Sequence, residues 1–237
     1  MRIGQDFDKL QLDLFGLHLV EPNTFVGDTI IFFFAMYFAY QTNKFSGNSK
    51  FFTYWKWFFI VFGIGFFMGG LGHLLYNYWG VPGKYFSWYS GLIASCLIEF
   101  AMISIFPNQS WHKKLQTISI IKMILAFFAA TYVFATVDLK VDVSKGLIVP
   151  ALNSAVGLVF AVGVLGIYYQ KKIDSSFKFF WMSIVVLIPT AIVQIMKINI
   201  NQYFDRNDIS HILLLTSLIF YYIGLKGYAR TWNSVQP

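Results

Sequence analysis

Long uncharged apolar runs recur along the whole chain, and this feature limits its fold more than any other. Each run is near the ~20 residues that an α-helix needs to cross the hydrocarbon core of a bilayer. Of the 237 residues, 57% are hydrophobic and only 12% are charged, whereas soluble domains are about 25% charged. A soluble domain of this size could not cover its surface with so few polar residues. The composition predicts an all-α integral membrane protein and excludes a soluble enzyme and a disordered chain.

The apolar runs predict seven spans joined by short loops, which together form one seven-transmembrane-helix bundle. Residues 1–22 lack the basic start of a signal peptide and have a partly helical apolar period, which predicts a short N-terminal interfacial helix. We expect the transmembrane domain to cover 23–230 and a C-terminal tail to cover 231–237. The predicted spans are 23–41, 52–79, 86–106, 115–136, 147–169, 177–197 and 207–228.

The distribution of basic residues predicts the orientation of the bundle. Lys and Arg number ten on the side of the first, third and fifth loops and the C-terminus, against seven on the opposite side. Basic residues collect on the cytoplasmic side of membrane proteins, so we expect the N-terminus outside and the C-terminus inside. The same rule explains the net charge of +7 without a nucleic-acid partner. We expect a multi-pass protein, in the cytoplasmic membrane if the source is bacterial, with membrane lipids as its surroundings.

Two ionisable residues in the inner half of the bundle are predicted to pair. Glu99 on the third span and Lys122 on the fourth lie at almost equal distances from the loop that joins these spans. In an antiparallel helix pair this spacing places both side chains at one depth, where an ion pair lowers the cost of burial. The pair is either a structural salt bridge or a step in a proton or ion relay.

A second set of polar residues is predicted to meet in the outer half. The first span contributes Asp28, the second His73 and the seventh His211. A helical row of Gly69, His73 and Asn77 on the second span, and a shared face of Asn207, Asp208 and His211 on the seventh, follow from the helical period. Buried ionisable residues in a span usually have a partner or a task.

Two imidazoles and a carboxylate with an open position form a ligand set that suits catalytic zinc. The sequence therefore predicts a metal site with ligands His73, His211 and Asp208, in which Asp28 or Asp208 acts as general base or third ligand. The alternative is that Asn207 and Asp208 cap the seventh helix and that the histidines form hydrogen bonds within the bundle. His18, in the N-terminal segment, is a weaker candidate ligand.

These motifs resemble those of the CREST superfamily, which groups alkaline ceramidases with progestin and adipoQ receptors. The resemblance consists of seven spans with the N-terminus outside, a small residue four positions before His73, a motif ending in His211 at the start of the last span, and the segment Glu21-Pro22-Asn23-Thr24 before the first span.

The resemblance implies a zinc ion held by His73 and His211 that activates water for hydrolysis of a lipid amide. It also implies Glu21 and Asn23 as candidates for the calcium-binding segment of some ceramidases. The sequence departs from the family pattern at Gly69, where the family has Ser, and at Asn207, where it has the first His of an H-x-x-x-H motif. The ligand set would then be completed by Asp208 or Asp28.

Three functions follow as hypotheses. The first is a zinc-dependent hydrolase that acts on a lipid-like amide or ester, with the metal generating hydroxide. The second is a non-enzymatic protein that binds a lipid or small ligand, or an assembly partner, in which the outer residues form a structural network. The third, a proton-coupled transporter, is the least favoured, because the sequence shows no paired broken helices of the inverted-repeat kind.

Overall fold

The computed structural model describes residues 1–45, 47 and 49–235, and these residues form a mainly helical chain. The last two residues of the predicted tail 231–237 lie outside the described residues, and the others extend the last helix. Short 3₁₀ turns cover Val81–Lys84 and Ser175–Phe177, and a π-helical turn, Val159–Val164, joins α6 to α7. The helices are α1 (Pro22–Phe45), α2 (Lys50–Leu74), α3 (Tyr76–Trp79), α4 (Tyr85–Ser104), α5 (Gln109–Thr136), α6 (Ser144–Leu158), α7 (Leu165–Lys172), α8 (Lys178–Ile195) and α9 (Arg206–Val235).

Six helical segments of the described chain are long and apolar enough to cross a membrane. The chain is an integral multi-pass membrane protein, and its outer surface contacts lipids. The helix α1, although 24 residues long, is not one of the six, because Asp28 and the polar residues near its ends lower its hydropathy. The six segments are Lys50–Leu74, Val81–Ser104, Gln109–Thr136, Ser144–Lys172, Ser175–Ile195 and Arg206–Ser234.

The N-terminal segment is a β-hairpin, so the prediction of an interfacial helix within 1–22 is wrong. The strands β1 (Gln11–Leu14) and β2 (Leu17–Val20) pair antiparallel. Leucines at every second position suit a strand as well as a partial helical period, and they face each other as Leu12 with Leu19 and Leu14 with Leu17. Both turn residues, Phe15 and Gly16, have positive φ angles, as in a type I′ hairpin turn.

The second predicted span is interrupted near its end. The helix α2 stops at Leu74, and Asn77 lies on the separate short helix α3. The chain then folds back through Gly83, whose carbonyl packs against Gly72 so closely that a side chain at 72 would collide with it. The predicted continuous row of Gly69, His73 and Asn77 is therefore wrong for Asn77, which instead donates a hydrogen bond to the His18 carbonyl.

The main hydrophobic core is rich in aromatic side chains, which make up 11 of its 24 buried residues. The helix α2 packs on α1 and α4, and α1 also packs on α9. Residues near the end of α2 therefore lie at the same end of the bundle as the beginnings of α1 and α9. We call this the hairpin end, since the hairpin covers it through hydrogen bonds to Asn77 and Tyr78. The largest fully buried core side chains include Phe51, Phe52, Trp55, Phe59 and Phe180.

Candidate functional site at the hairpin end

The centre of the hairpin end is a chain of contacts between Glu21, His73 and Lys84. Glu21, one residue before α1, is 7% exposed, and its Oε2 lies 2.7 Å from Nδ1 of His73. The Lys84 Nζ lies 2.8 Å from Nε2 of the same imidazole and is itself buried. Three segments of the chain thus supply a carboxylate, an imidazole and an ammonium group to one buried position.

Glu21 is held in an unusual backbone conformation at this position. Its φ angle is 51°, in a region that costs a non-glycine residue on the order of 1–3 kcal/mol unless its surroundings fix it. Its amide donates a hydrogen bond to the Leu10 carbonyl across 2.9 Å, and its carbonyl accepts one from Phe25 in the first turn of α1. The backbone therefore fixes where the carboxylate of Glu21 points.

The carboxyl group of Glu21 is also contacted by Lys9 from the N-terminal segment. Burial alone would raise the pKa of this carboxyl, but the hydrogen bond from His73 and the charges of His73 and Lys9 outweigh burial and hold the pKa well below its ordinary value. Glu21 is therefore a charged carboxylate at neutral pH.

A second carboxylate–histidine pair joins α1 to α9. The Asp28 Oδ1 lies 3.0 Å from Nε2 of His211, and both side chains are largely buried. Glycines make this approach possible: a side-chain carbon at Gly27 would collide with Nδ1 of His211, and one at Gly70 would lie 2.8 Å from Cβ of Asp28. Asp28 and His211, predicted to share one level of the bundle, are thus in direct contact.

The start of α9 is capped by Asp205 together with Asp208, and the side chain of Asn207 takes no part in the cap. The Asp205 Oδ1 accepts hydrogen bonds from the amides of Asn207, at 2.7 Å, and of Asp208, while Oδ2 of Asp208 accepts one from the Asp205 amide at 2.9 Å. This reciprocal arrangement is a capping box. Burial raises the pKa of Asp205, although the bond from Asn207 opposes the change.

Asp208 has a second partner, the side chain of Asn23 on α1, whose Nδ2 donates to Oδ2 of Asp208 across 2.9 Å. The side chain of Asn207 accepts a long hydrogen bond of 3.4 Å from Gln194. The three polar residues predicted to act together on α9 therefore separate: Asp208 contacts Asn23, Asn207 contacts Gln194, and His211 contacts Asp28.

The described residues contain no group of three or more His, Cys, Asp or Glu side chains placed to hold a metal ion. Of the predicted zinc ligands, His73 contacts Glu21 and Lys84, His211 contacts Asp28, and Asp208 contacts Asn23. The two candidates for calcium, Glu21 and Asn23, are likewise engaged separately. Zinc and calcium stay predictions of the sequence.

The family DUF6962, described as a family of unknown function, matches residues 23–230. The chain belongs to DUF6962. Searches of curated proteins and of solved structures gave no significant match. The matched range of the DUF6962 chain begins after Glu21 and includes Asn23, Asp28, His73, Lys84 and His211.

The DUF6962 chain also has a groove of about 690 Å³ at the hairpin end. The Tyr76 ring lines the groove and lies 5.9 Å from the Lys84 ammonium group, so this tyrosine joins the groove to the buried contacts of Glu21 and His73. The lining includes four aromatic side chains and two opposite charges, from Tyr76, Tyr78, Trp79, Tyr85, Asp138 and Lys140.

The ion pair predicted between Glu99 and Lys122 is confirmed. The Lys122 Nζ lies 2.6 Å from Oε1 of Glu99, which also accepts a hydrogen bond from Ser95. The same ammonium group donates to the Asn153 carbonyl at 3.0 Å, so α6 completes the site. Gly157 allows this approach, because a side chain there would collide with both Glu99 and Ser95.

Sequence reasoning missed Lys84, Lys9 and Asp205. Lys84 is one of the seven basic residues on the side opposite the C-terminus, and its place immediately before a span, in Val81-Pro82-Gly83-Lys84, is where a long side chain can turn back along the bundle. Asp205, three residues before Asp208, has the spacing of a capping box. No sequence signal brings Lys9 to Glu21, because that contact depends on the hairpin.

Proposed function

We propose that the DUF6962 chain binds the headgroup of a lipid, or of a lipid-like small ligand, at the hairpin end of a seven-span bundle in which α1 is the first span. The observation that carries this proposal is the buried Glu21–His73–Lys84 contact chain beside an aromatic groove. Ionisable groups in a membrane protein are costly to bury and usually serve a substrate or ligand site.

The chemistry of the groove suits the polar end of an amphiphile. Exposed tyrosine and tryptophan rings such as Tyr78 and Trp79 are typical of the level at which lipid headgroups lie. Lys140 supplies a positive charge to the lining and Asp138 a negative one, which together match a zwitterionic headgroup. The predicted orientation, with the N-terminus outside, would expose the groove to the outer leaflet.

An apolar cavity lies within the bundle, lined by residues of α2, α4, α6, α8 and α9. It has a volume of about 90 Å³, room for about three water-sized groups. Leu214, one turn after His211, lines it together with Phe62, whose ring stacks near that of Phe66. Phe66 in turn contacts the His211 ring. We infer that this cavity accepts part of an apolar chain when a ligand is bound.

The test is a titration of the purified protein with dihexanoyl phosphatidylcholine and dihexanoyl phosphatidylglycerol, followed by tryptophan fluorescence. We expect saturable binding that weakens about tenfold in Lys140→Gln, which removes the lysine of the groove lining, the size expected when a charged hydrogen-bond donor is lost. The matched control is Lys145→Gln, which removes an exposed lysine at the same end, outside the groove lining. Trp79→Leu, at an exposed groove position, should weaken binding without unfolding the protein.

Equal binding by all four proteins, or no saturable binding of either lipid, would contradict the proposal. Identification of lipids that co-purify in mild detergent provides an independent measurement. A headgroup enriched over the membrane average in the wild type, and lost in Trp79→Leu, would support a specific site.

The zinc-dependent hydrolase of the CREST type is a second proposal, favoured by the two carboxylate–histidine pairs. Histidines that ligate metals commonly donate their other ring nitrogen to a carboxylate, as Glu21 and Asp28 would allow for His73 and His211. Zinc, where bound, would supply an activated water. Elemental analysis of untagged protein tests this proposal, with His73→Ala compared against His112→Ala at the opposite end. Less than a tenth of an equivalent of zinc in wild type would refute it.

A further inference from the structure

The β-hairpin has one apolar face and one polar face. The strand register places Leu12, Leu14, Leu17 and Leu19 on the same side, since side chains alternate along a strand. The opposite side carries the Asp13–His18 pair, and both members of that pair are exposed. Leu19 is buried, whereas Leu12, Leu14 and Leu17 are each 41–43% exposed, so much of the apolar face is open to its surroundings.

The tip of the hairpin carries Phe15, the most exposed large apolar side chain among the described residues. Phe15 is 93% exposed and has a φ angle of 53°. Type I′ turns prefer Asn, Asp or Gly at this position, because a left-handed conformation costs other residues about 1–2 kcal/mol. The turn therefore gains nothing from the aromatic ring, which is open to the surroundings of the protein.

The hairpin cannot move freely away from the bundle. The His18 amide donates a hydrogen bond to the Tyr78 hydroxyl across 3.0 Å, and the Asn77 side chain donates to the His18 carbonyl. Leu19 and Val20 are buried, and α1 begins two residues after Val20. The base of the hairpin is therefore fixed at the level of the exposed Tyr78 and Trp79 rings, the level of an interfacial aromatic belt.

We propose that this hairpin is a membrane anchor whose leucine face and Phe15 lie among the headgroups and upper acyl chains of the same bilayer. The Asp13–His18 face is directed to water. The anchor is shallow, because a two-stranded hairpin leaves unpaired backbone groups along both edges, and such groups are not tolerated in dry hydrocarbon. The base of the hairpin is bonded to Tyr78, an exposed ring of the aromatic belt, and this position favours lipid over a second protein as the occupant.

The test is site-specific labelling in nanodiscs of phosphatidylcholine and phosphatidylglycerol. The environment-sensitive dye NBD is attached to Phe15→Cys and, as the matched control, to Asp13→Cys on the polar face. The native Cys96 is buried, and wild type treated with the same dye provides the background. We expect a blue-shifted emission at position 15 and about threefold stronger quenching there than at position 13 by lipids spin-labelled near the headgroup.

Water-like emission and equal quenching at positions 15 and 13 would overturn the proposal. Stronger quenching at position 15 by lipids labelled at the chain end than by headgroup-labelled lipids would overturn the shallow placement. A second variant, Phe15→Asp, keeps the test independent of the label. We expect it to fold and to release the hairpin, measured as faster hydrogen exchange of the β1 amides in nanodiscs but not in detergent.

Discussion

The two buried groups of ionisable residues differ in how their charges are supplied. At the inner site, Glu99 and Lys122 come from consecutive helices and compensate each other directly at 2.6 Å. At the hairpin end, Glu21, His73 and Lys84 come from three segments, and Glu21 has the additional cation Lys9. The first arrangement is a closed pair, and the second is an open chain of charges beside a groove.

Under the proposed function, this difference separates a structural site from a site that is available to a ligand. A closed pair satisfies both members and gains nothing from a third charge. The hairpin end brings two cationic side chains and an imidazole to one carboxylate, so it can accept a further anionic or polar group. The two sites should therefore respond to different kinds of change.

The largest effect is expected at the inner pair. Lys122→Met leaves the Glu99 carboxylate buried without its partner, which costs about 3–5 kcal/mol of the free energy of unfolding. The measurement is the thermal midpoint and the monodisperse yield in mild detergent, with Lys113→Met on the same helix as the exposed control. The double reversal Glu99→Lys with Lys122→Glu should recover most of the yield. Normal stability of Lys122→Met would show that the pair is not structural.

The inner pair could be predicted because its geometry depends on helix length alone. Two helices joined by a short loop return to equal depth, and residues at equal distances from that loop meet. Such reasoning fails at the hairpin end because backbone breaks determine the contacts there. The close approach of Gly72 and Gly83 ends α2 and separates Asn77 from His73. Close approaches of this kind involve positions distant in sequence, and a periodic pattern does not record them.

The same reasoning explains the hairpin. Leu12, Leu14, Leu17 and Leu19 fit both a strand and a partial helical stripe, and the Phe15-Gly16 turn decides between them. Phenylalanine is not a usual type I′ residue, so the local sequence favours neither structure strongly. The tertiary bonds of His18 to Asn77 and Tyr78 stabilise the hairpin, and these partners could be identified only from the folded chain.

The second largest effect is expected where glycine brings α1 to α9. Gly27→Ala forces Nδ1 of His211 away and breaks the contact with Asp28, at a cost of about 1–3 kcal/mol. Gly91→Ala on α4 is the matched control, because a side-chain carbon there meets nothing within 4 Å. We expect this control to be neutral or slightly stabilising in thermal denaturation. Equal destabilisation by both variants would argue against a specific Asp28–His211 contact.

A smaller effect is expected from acid at the hairpin end. The folded state lowers the pKa of Glu21 below its ordinary value of 4.5, so the folded state binds fewer protons than the unfolded state. The stabilisation is complete above that value and is lost as the pH falls below it. We expect the thermal midpoint of wild type to fall more steeply than that of Glu21→Gln as the pH falls from 4.5. Asp13→Asn, at an exposed site, should follow wild type, and identical curves for all three proteins would exclude this role of Glu21.

The smallest effect is expected at the start of α9, and it decides between two roles of Asp208. Asp205→Ala removes the side chain that accepts from the Asn207 and Asp208 amides, at a cost of about 1 kcal/mol, as for other helix caps. Asn207→Ala loses only a 3.4 Å hydrogen bond and should change stability by less than about 0.5 kcal/mol. Asp208→Ala should resemble Asp205→Ala in thermal denaturation and leave lipid binding and metal content unchanged. A loss of bound zinc with unchanged stability would instead make Asp208 a ligand, and the hairpin end would then resemble the predicted hydrolase more than a headgroup site.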